Sequence, residues 1–515
     1  MRGSPRCTPS RVPRPCTSSA APTFCTLPGP LRAISVALPP EPFQSVSGHS
    51  AEEYTGNMSS VRKSKAPGPR QPDSILASPD PAMIDAARTE PGGIPIPVED
   101  LPLTALRPAA QAAFTGYTSH DPEYRRIKFA LFVAGFVTFA QIYEVQVLLP
   151  DISKFFSISP VTASLALSLT TLALAISMFF IGPSSERLGR RPIILISLFV
   201  ASLLGIVLGF TPNWGLLMVG RFVQGMALAG LPAVATAYLA EEICPAELPK
   251  AAGSYVAGTA IGGMLGRILS GFLSHLVGWD MTITVLGCIG VVGTLLVWLL
   301  LPQQEGFSKA EPGLKALLQH TKDVLTEPGL VLLFVVAGTA LGAYQSILNM
   351  MPYRLTGAPY FLATWIVSLI FLVNLFGSVA ASTAGSLASR FGRRAVVPLA
   401  GIIYLVGILM MLARPLWAIF AGLVVFTIGF FGVHSVATGW VTARAVSGVG
   451  ATGQASSAYS IVYYAGGSIF GTLAGFGWTA LGWSGVVAIS GSLAVVVIVL
   501  ALILRHIKPL SASGY

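Results

Sequence analysis

Charge is scarce in this sequence. Asp, Glu, Lys and Arg make up 10% of its 515 residues, while 53% are hydrophobic and the mean hydropathy is +0.70. A soluble domain carries about 25% charged residues, so the deficit excludes an ordinary water-soluble fold and points to a bilayer. Cysteine is scarce too. Cys7, Cys16, Cys25, Cys244 and Cys288 show no C-x-x-C spacing, so neither a zinc site nor a disulfide framework is expected. No nucleotide-binding loop, metal constellation or nucleophile–base arrangement is visible. Catalysis and ATP-driven work within this chain are therefore disfavoured, and no cofactor is expected. The net charge of +10 could suggest nucleic acid, but residues 1–125 are nearly balanced, with twelve Lys/Arg and eleven Asp/Glu. The excess lies in short loops between apolar runs, where membrane topology explains it, and nucleic acid is not an expected partner.

Residues 1–125 hold 21 of the 37 prolines and no sustained apolar periodicity. They cannot bury enough surface to offset ordering entropy, and the segment reads as a disordered Pro-rich cytoplasmic tail. It has no continuous apolar core of the kind a secretory signal requires. Beyond it come twelve apolar runs near 129–150, 160–184, 192–211, 214–238, 252–275, 281–302, 328–351, 360–384, 395–413, 415–440, 455–477 and 484–504. A helix of about 20 residues crosses a ~30 Å hydrocarbon core, so each run predicts one span. Domains follow: a six-helix bundle over 126–302, a charged connector over 303–327, a second bundle over 328–507 and a short tail over 508–515. The expected fold is all-α.

Direction comes from the basic residues. With both termini inside, sixteen Lys/Arg flank cytoplasmic ends, among them Arg125, Arg126, Lys128, Lys250, Arg444 and Arg505, against Lys154, Arg354 and Arg414 outside. The positive-inside rule favours that orientation.

The two bundles are copies of one another. Gly182–Arg191 (GPSSERLGRR) returns as Gly385–Arg394 (GSLASRFGRR), 203 residues later. Val234-Ala235-Thr236 returns as Val436-Ala437-Thr438, and Tyr255, Gly262 and Gly271 return as Tyr459, Gly466 and Gly475. A tandem duplication with parallel halves is the sequence trace of a two-bundle transporter.

These residues resemble the major facilitator superfamily across about 126–507. Gly182, Arg187, Gly189, Arg190 and Arg191 match its loop signature G-x-x-x-D-R-x-G-R-R, with Glu186 at the acidic position. The second copy keeps Gly385, Arg390, Gly392, Arg393 and Arg394 but has Ser389 there. Arg221, Gln224 and Gly225 fit the fourth-helix signature R-x-x-Q-G. YLAEEI at Tyr238–Ile243 and GMLGRILSGF at Gly263–Phe272 resemble the YnfM-type exporter subgroup. The resemblance implies alternating access around one central site, coupling to a proton gradient, efflux, and a bacterial-type inner (plasma) membrane. It further implies that the loop arginines and Glu186 latch the cytoplasmic face. They could instead set topology and bind lipid phosphates.

Several residues are candidates for the work itself. Gly258, Gly262, Gly266 and Gly271 recur at helical spacing with Gly263 adjacent, giving span five a nearly bare face for close helix packing. Gly258 and Gly262 also match part of the antiporter signature G-x-x-x-G-P-x-x-G-G, although Gly263 replaces its proline and Arg267 its last glycine. Ionisable groups inside spans are costly and hence functional candidates: Glu144, Arg221, Arg267 and His434. At ~1.5 Å per residue, Glu144 and Arg267 lie about 21 and 23 Å from the inner end, and Arg221 about 10 Å from the outer end. That predicts one outer-half cluster. Glu144 is the first choice for a proton carrier, or else one member of a permanent ion pair. If one arginine engages Glu144, the other is free for an anionic solute. Arg221 could instead brace span four through backbone carbonyls. His434 could join in coupling or simply pack. Gln141, Tyr143, Gln146, Tyr344, Gln345, Asn349, Tyr459, Tyr463 and Tyr464 offer polar tips to a cavity suited to a small, partly apolar solute.

The leading expectation is a monomeric secondary transporter of a small organic solute, with proton-coupled efflux or antiport preferred. Proton-coupled uptake of an organic acid, or a transport-inactive sensor or scaffold, would use the same chain differently.

Overall fold

Proline, glycine and a few polar caps punctuate the apolar runs. The computed structural model describes residues 116–306, 314–448 and 451–507. The predicted Pro-rich tail therefore lies outside the described residues through Thr115, as does the tail over 508–515.

The first half comprises α1 (Pro122–Tyr143), α2 (Leu149–Phe155), α3 (Pro160–Leu188), α4 (Arg190–Leu208), α5 (Trp214–Leu228), α6 (Gly230–Glu242) and α7 (Leu248–Leu300). A connecting helix α8 (Leu314–Thr326) stands within the stretch read as a plain connector. The second half comprises α9 (Pro328–Thr356), α10 (Thr364–Ser368), α11 (Asn374–Phe391), α12 (Arg393–Met410), α13 (Leu416–Gly448), α14 (Thr452–Leu481) and α15 (Trp483–His506). Proline opens α1, α3 and α9, where its missing N–H costs nothing. Ser159 and Asn213 cap α3 and α5 through side-chain oxygens. Among the described residues there is no strand, only one isolated bridge between Tyr117 and Ile243.

Among the described residues, ten helical segments are long and apolar enough to cross a membrane. One is α7, whose 53 residues would run ~80 Å if straight, far beyond a ~30 Å core. It bends at Gly278 (φ 84°), so its two arms make separate crossings. The remaining crossing is α14, 30 residues long and without charge, whose serines, glycines and tyrosines lower its hydropathy. That completes the twelve spans in two bundles of six. Their outward faces are studded with exposed apolar side chains such as Phe180, Leu299 and Phe476, as contact with lipid requires.

The duplication is visible in three dimensions. Gly189 (φ 89°, ψ 153°) and Gly392 (φ 84°, ψ 143°) turn the chain between α3 and α4 and between α11 and α12 with nearly the same dihedrals. A Cβ is strained in that conformation, so the repeated loop needs glycine there. Arg191 Nε donates to the Leu301 carbonyl at the end of α7 (2.9 Å), and Arg394 donates to the Ile507 carbonyl after α15. Each arginine satisfies carbonyls left free at a helix C-terminus and complements the negative end of its dipole.

Close packing within the first half comes from the glycine face. A Cβ at Gly258 or Gly262 would stand 2.2 or 2.3 Å from the carbonyl oxygens of Phe132 or Phe136 in α1, and one at Gly266 would stand 2.6 Å from Ala140 Cα. These glycines thus seal α1 onto the first arm of α7 inside one bundle. Gly271 alone of the set reaches the other half, facing Ser368. In the second half Gly466 lies against Gly338 in the same manner.

The described contacts between the halves gather at one end, remote from the Gly189 and Gly392 loops. There Tyr353 donates to the Leu149 carbonyl (2.9 Å), Thr364 bonds Asp151 (3.3 Å), and Phe272 packs against Trp365. Along α3 and α14, Ser168 meets Thr472 and Thr171 meets Ser468, each at 2.7 Å. From Thr171 to the loop end, no described hydrogen bond or ion pair joins the halves. The described bonds between the halves thus lie on the side away from the loops.

Of the two described cysteines, Cys288 is free and exposed.

Candidate functional site

Glu144 sits where the first span breaks. α1 ends at Tyr143, and Glu144–Gln146 form a single 3-10 turn before α2. Its repeat counterpart Ser346 lies inside the unbroken α9, so the break is peculiar to the first half. Glu144 Oε1 accepts a hydrogen bond from Arg221 Nη1 at 2.9 Å, and both side chains are 0% exposed. Arg221 also donates to Gln224 Oε1 (2.7 Å), the Ala166 carbonyl (3.2 Å) and, more weakly, the carbonyls of Gln141 and Ile142 (3.4 Å). Bracing of neighbouring backbone and pairing with Glu144 therefore occur together. Glu144 Oε2 is buried with no hydrogen-bond partner among the described residues.

Arg267 stands apart from that pair, whereas the depths alone suggested one cluster of three charges. Its Nη1 folds back to the Gly263 carbonyl (2.6 Å), and its Nε donates to Gln146 Oε1 (2.6 Å). The ring of Tyr143 reaches the guanidinium, at 3.9 Å, and Phe371 from the other half approaches it at 4.9 Å. Arg267 is 4% exposed, and among the described residues it has no carboxylate partner. Gln146 in turn donates to Gln345 (3.1 Å) and Asn349 (2.6 Å), and Asn349 donates to the Gly471 carbonyl (3.3 Å). Arg267 thus belongs to the seam between the halves, and Glu144–Arg221 to the interior of the first.

The other predicted lining residues divide similarly. Gln141 donates to Ser202 (2.8 Å) and accepts from Gln224 (3.4 Å), so it faces into the first bundle and not the space between the halves. Tyr344 donates to Asn374 (2.7 Å) and stacks on Phe430 with centroids 4.1 Å apart. His434 Nδ1 and the Tyr459 hydroxyl share a 3.0 Å hydrogen bond, and the His434 ring stacks on Tyr463 at 4.7 Å. Tyr464 meets Tyr463 edge-on at 5.2 Å. Phe371, Phe430 and Asn374 carry this arrangement but were not singled out from the sequence. An apolar crevice lined by Leu195, Phe199, Leu295 and Trp298 lies on the outer surface and shares no residue with these groups.

At the loops, Glu186 makes no described ion pair with the arginines beside it. Arg190 instead pairs with Glu241 at 3.1 Å and also bonds Ser185, while its backbone N–H and that of Arg191 donate to Gln304. Ser185 and Gln304 support the turn locally, and Glu241 belongs to α6 of the same half. Glu241 aligns with Ala443 in the repeat, and among the described residues Arg393 has no ion pair. Arg390 lies over the Phe391 ring (5.3 Å), and Arg187 has no ion pair among the described residues. No described contact of Gly182 or Gly385 crosses between the halves.

The buried polar seam, the duplicated loops and the paired helical bundles agree with comparisons to known proteins. The model of the Major Facilitator Superfamily matches residues 131–383. The uncharacterized MFS-type transporter YybF of Bacillus subtilis is 40% identical over 71% of this chain and 90% of its own length. The inner membrane transport protein YnfM of Escherichia coli is 36% identical over 74% of this chain and 90% of its own. Among solved structures, a bacterial homolog of the human lysosomal transporter Spinster, in an inward-facing and occupied conformation, superposes with TM-score 0.61. The match covers 75% of this chain and 97% of that one, at 15% identity. The nucleoside transporter NupG gives TM-score 0.59 at 12% identity, over 74% and 99%. By fold, duplicated loops and relatives alike, the chain belongs to the major facilitator superfamily of transmembrane transporters.

Proposed function

We propose that this transporter exports a small organic anion in exchange for protons. One observation carries the reading: the buried carboxylate Glu144 is taken by Arg221, while Arg267 stands at the seam of the halves with no described carboxylate of its own. A guanidinium in that position attracts an anion and repels a cation. It bonds Gln146, which in turn joins the halves through Gln345 and Asn349.

The basic loop end is read as cytoplasmic by the positive-inside rule. With the bonds between the halves gathered at the other end, we read this state as inward-open, with both termini inside and the outer end held shut by the Gln146–Asn349, Ser168–Thr472 and Thr171–Ser468 bonds. A bacterial-type inner membrane and a monomer are part of the same reading. An anion entering from the cytoplasm meets Arg267 first. Glu144 supplies the coupling: its Oε2 is without a described partner, so a proton can bind there without breaking an existing hydrogen bond. Protonation removes the countercharge of Arg221, and a buried unpaired charge costs several kcal/mol. The bundles are thereby driven to rearrange around α1 and α5. Glu186, which has no described ion pair in this state, suits a latch that forms when the loop end closes.

The test is pH-gradient-driven accumulation in inside-out vesicles, with a panel of organic anions, cationic dyes and sugars. Accumulation of anions that needs the gradient and disappears in both Glu144→Gln and Arg267→Ala is the expected result. Cation accumulation that survives Arg267→Ala would overturn the anion assignment. Anion flux running only into right-side-out vesicles would overturn export.

A further inference from the structure

Building on the anion reading, we infer that the transported solute is a flat aromatic carboxylate, bound with its carboxylate in the plane of the Arg267 guanidinium and its ring as an added rung on the aromatic wall of the second half. Aromatic rings pack on the guanidinium, Tyr143 at 3.9 Å and Phe371 at 4.9 Å. Nε and Nη1 are engaged by Gln146 and Gly263, and Nη2 carries no described bond. Nη2 is therefore the position left for a ligand. Edge-on, in-plane recognition is the geometry in which arginine binds carboxylate.

The aromatic wall is adjacent to this charge. Phe371, which approaches Arg267, stands one helical turn before Asn374, the hydrogen-bond partner of Tyr344. The rings of the wall are close to parallel. Tyr344 stacks on Phe430 at 20°, Phe430 on His434 at 4°, and His434 on Tyr463 at 28°. His434 and Tyr463 are only half-buried, so the ladder is open at that end. A conjugated carboxylate is coplanar with its ring, which fits an edge-bound head and a stacked body at once. An aliphatic acid satisfies the charge but not the wall. A cation finds no carboxylate there, because Glu144 is sealed against Arg221.

The test is isothermal titration calorimetry on the full-length protein in detergent, with benzoate, cyclohexanecarboxylate, benzamide and benzylammonium. Benzoate is expected to bind about tenfold more tightly than cyclohexanecarboxylate, the scale of one favourable ring–ring contact. Benzamide and benzylammonium are expected to give no heat at matching concentrations. Tyr463→Leu is expected to remove the tenfold advantage of benzoate without changing cyclohexanecarboxylate, and Tyr463→Phe to keep it. Arg267→Gln is expected to lose both acids while melting at the wild-type temperature. Equal binding of the two acids would overturn the aromatic assignment and leave the anion reading standing. Binding of the amide or the amine that survives Arg267→Gln would overturn both, as would silence from both acids at millimolar concentration alongside vesicle transport of cations.

Discussion

Replacing Glu144 by Gln keeps the shape of the buried site and removes its only negative charge. Arg221 retains four other acceptors: Gln224 Oε1, the Ala166 carbonyl, and the carbonyls of Gln141 and Ile142. What it loses is charge compensation at 0% exposure. Removing one partner of a buried ion pair costs about 3–5 kcal/mol, and the retained acceptors put this case at about 3. The same reasoning run from the other side gives Arg221→Gln a comparable cost. The double variant leaves two neutral amides, so its cost should fall short of the sum by about 2 kcal/mol. In thermal unfolding followed by fluorescence in detergent, each single variant should melt roughly 6 °C below wild type. The double variant should sit well above the additive expectation. Additive shifts, or single variants that melt with wild type, would refute the coupling of Glu144 to Arg221 on which the proton-carrier argument rests.

Three further outcomes follow from other parts of the molecule. Gly262→Leu drives a side chain into the Phe136 carbonyl, 2.3 Å from the position of a Cβ, and should lower stability by at least about 1–3 kcal/mol, read as a lower melting temperature. Gly253→Ala, where a Cβ meets nothing within 4 Å, should leave it unchanged. Gln146→Leu removes the bonds to Gln345 and Asn349 that help close the outer end, about 1 kcal/mol each, and should raise thiol labelling of a cysteine placed at Ser168; unchanged labelling would argue against that closure. Glu327 caps α9 and pairs with Arg444 at 2.6 Å. Although burial pushes its carboxyl up, the Arg444 hydrogen bonds and the backbone N–H groups of Leu330 and Gly329 hold it below the usual carboxylate range. Its stabilising effect is present above the ordinary carboxylate range and is lost as pH falls through the depressed value. Glu327→Gln should therefore cost stability at neutral pH and progressively less on acidification, a trend that melting curves across pH will show or exclude.

The architecture is written redundantly in the sequence. Spans announce themselves by length, and the copies of GRR at Gly189 and Gly392 demand the same left-handed turn, so the repeat could be read before any helix was seen. The pairing of Glu144 with Arg221 was accessible from depth along their helices. The separation of Arg267 was not, because it depends on which way the side chain folds, and Tyr143 and the Gly263 carbonyl hold it. The break at Glu144–Gln146 is followed by Pro150, but the corresponding Pro352 leaves α9 unbroken, so the proline alone does not mark it. Phe426, Phe430 and His434 repeat every four residues, but in a helix apolar all round that spacing does not distinguish a cavity wall from lipid-facing surface. Gln141 was drawn to the cavity by its polarity, while Ser202 and Gln224 satisfy it inside the bundle.

Coupled proton and anion movement decides the central claim. Purified protein would be reconstituted with a pH indicator trapped inside the liposomes, and proton flux would be recorded while an aromatic carboxylate gradient is imposed. The account predicts proton movement opposite to the anion, abolished by Glu144→Gln, while that variant still exchanges labelled for unlabelled anion. Anion transport without proton movement in wild type, or proton movement that persists in Glu144→Gln, would contradict it.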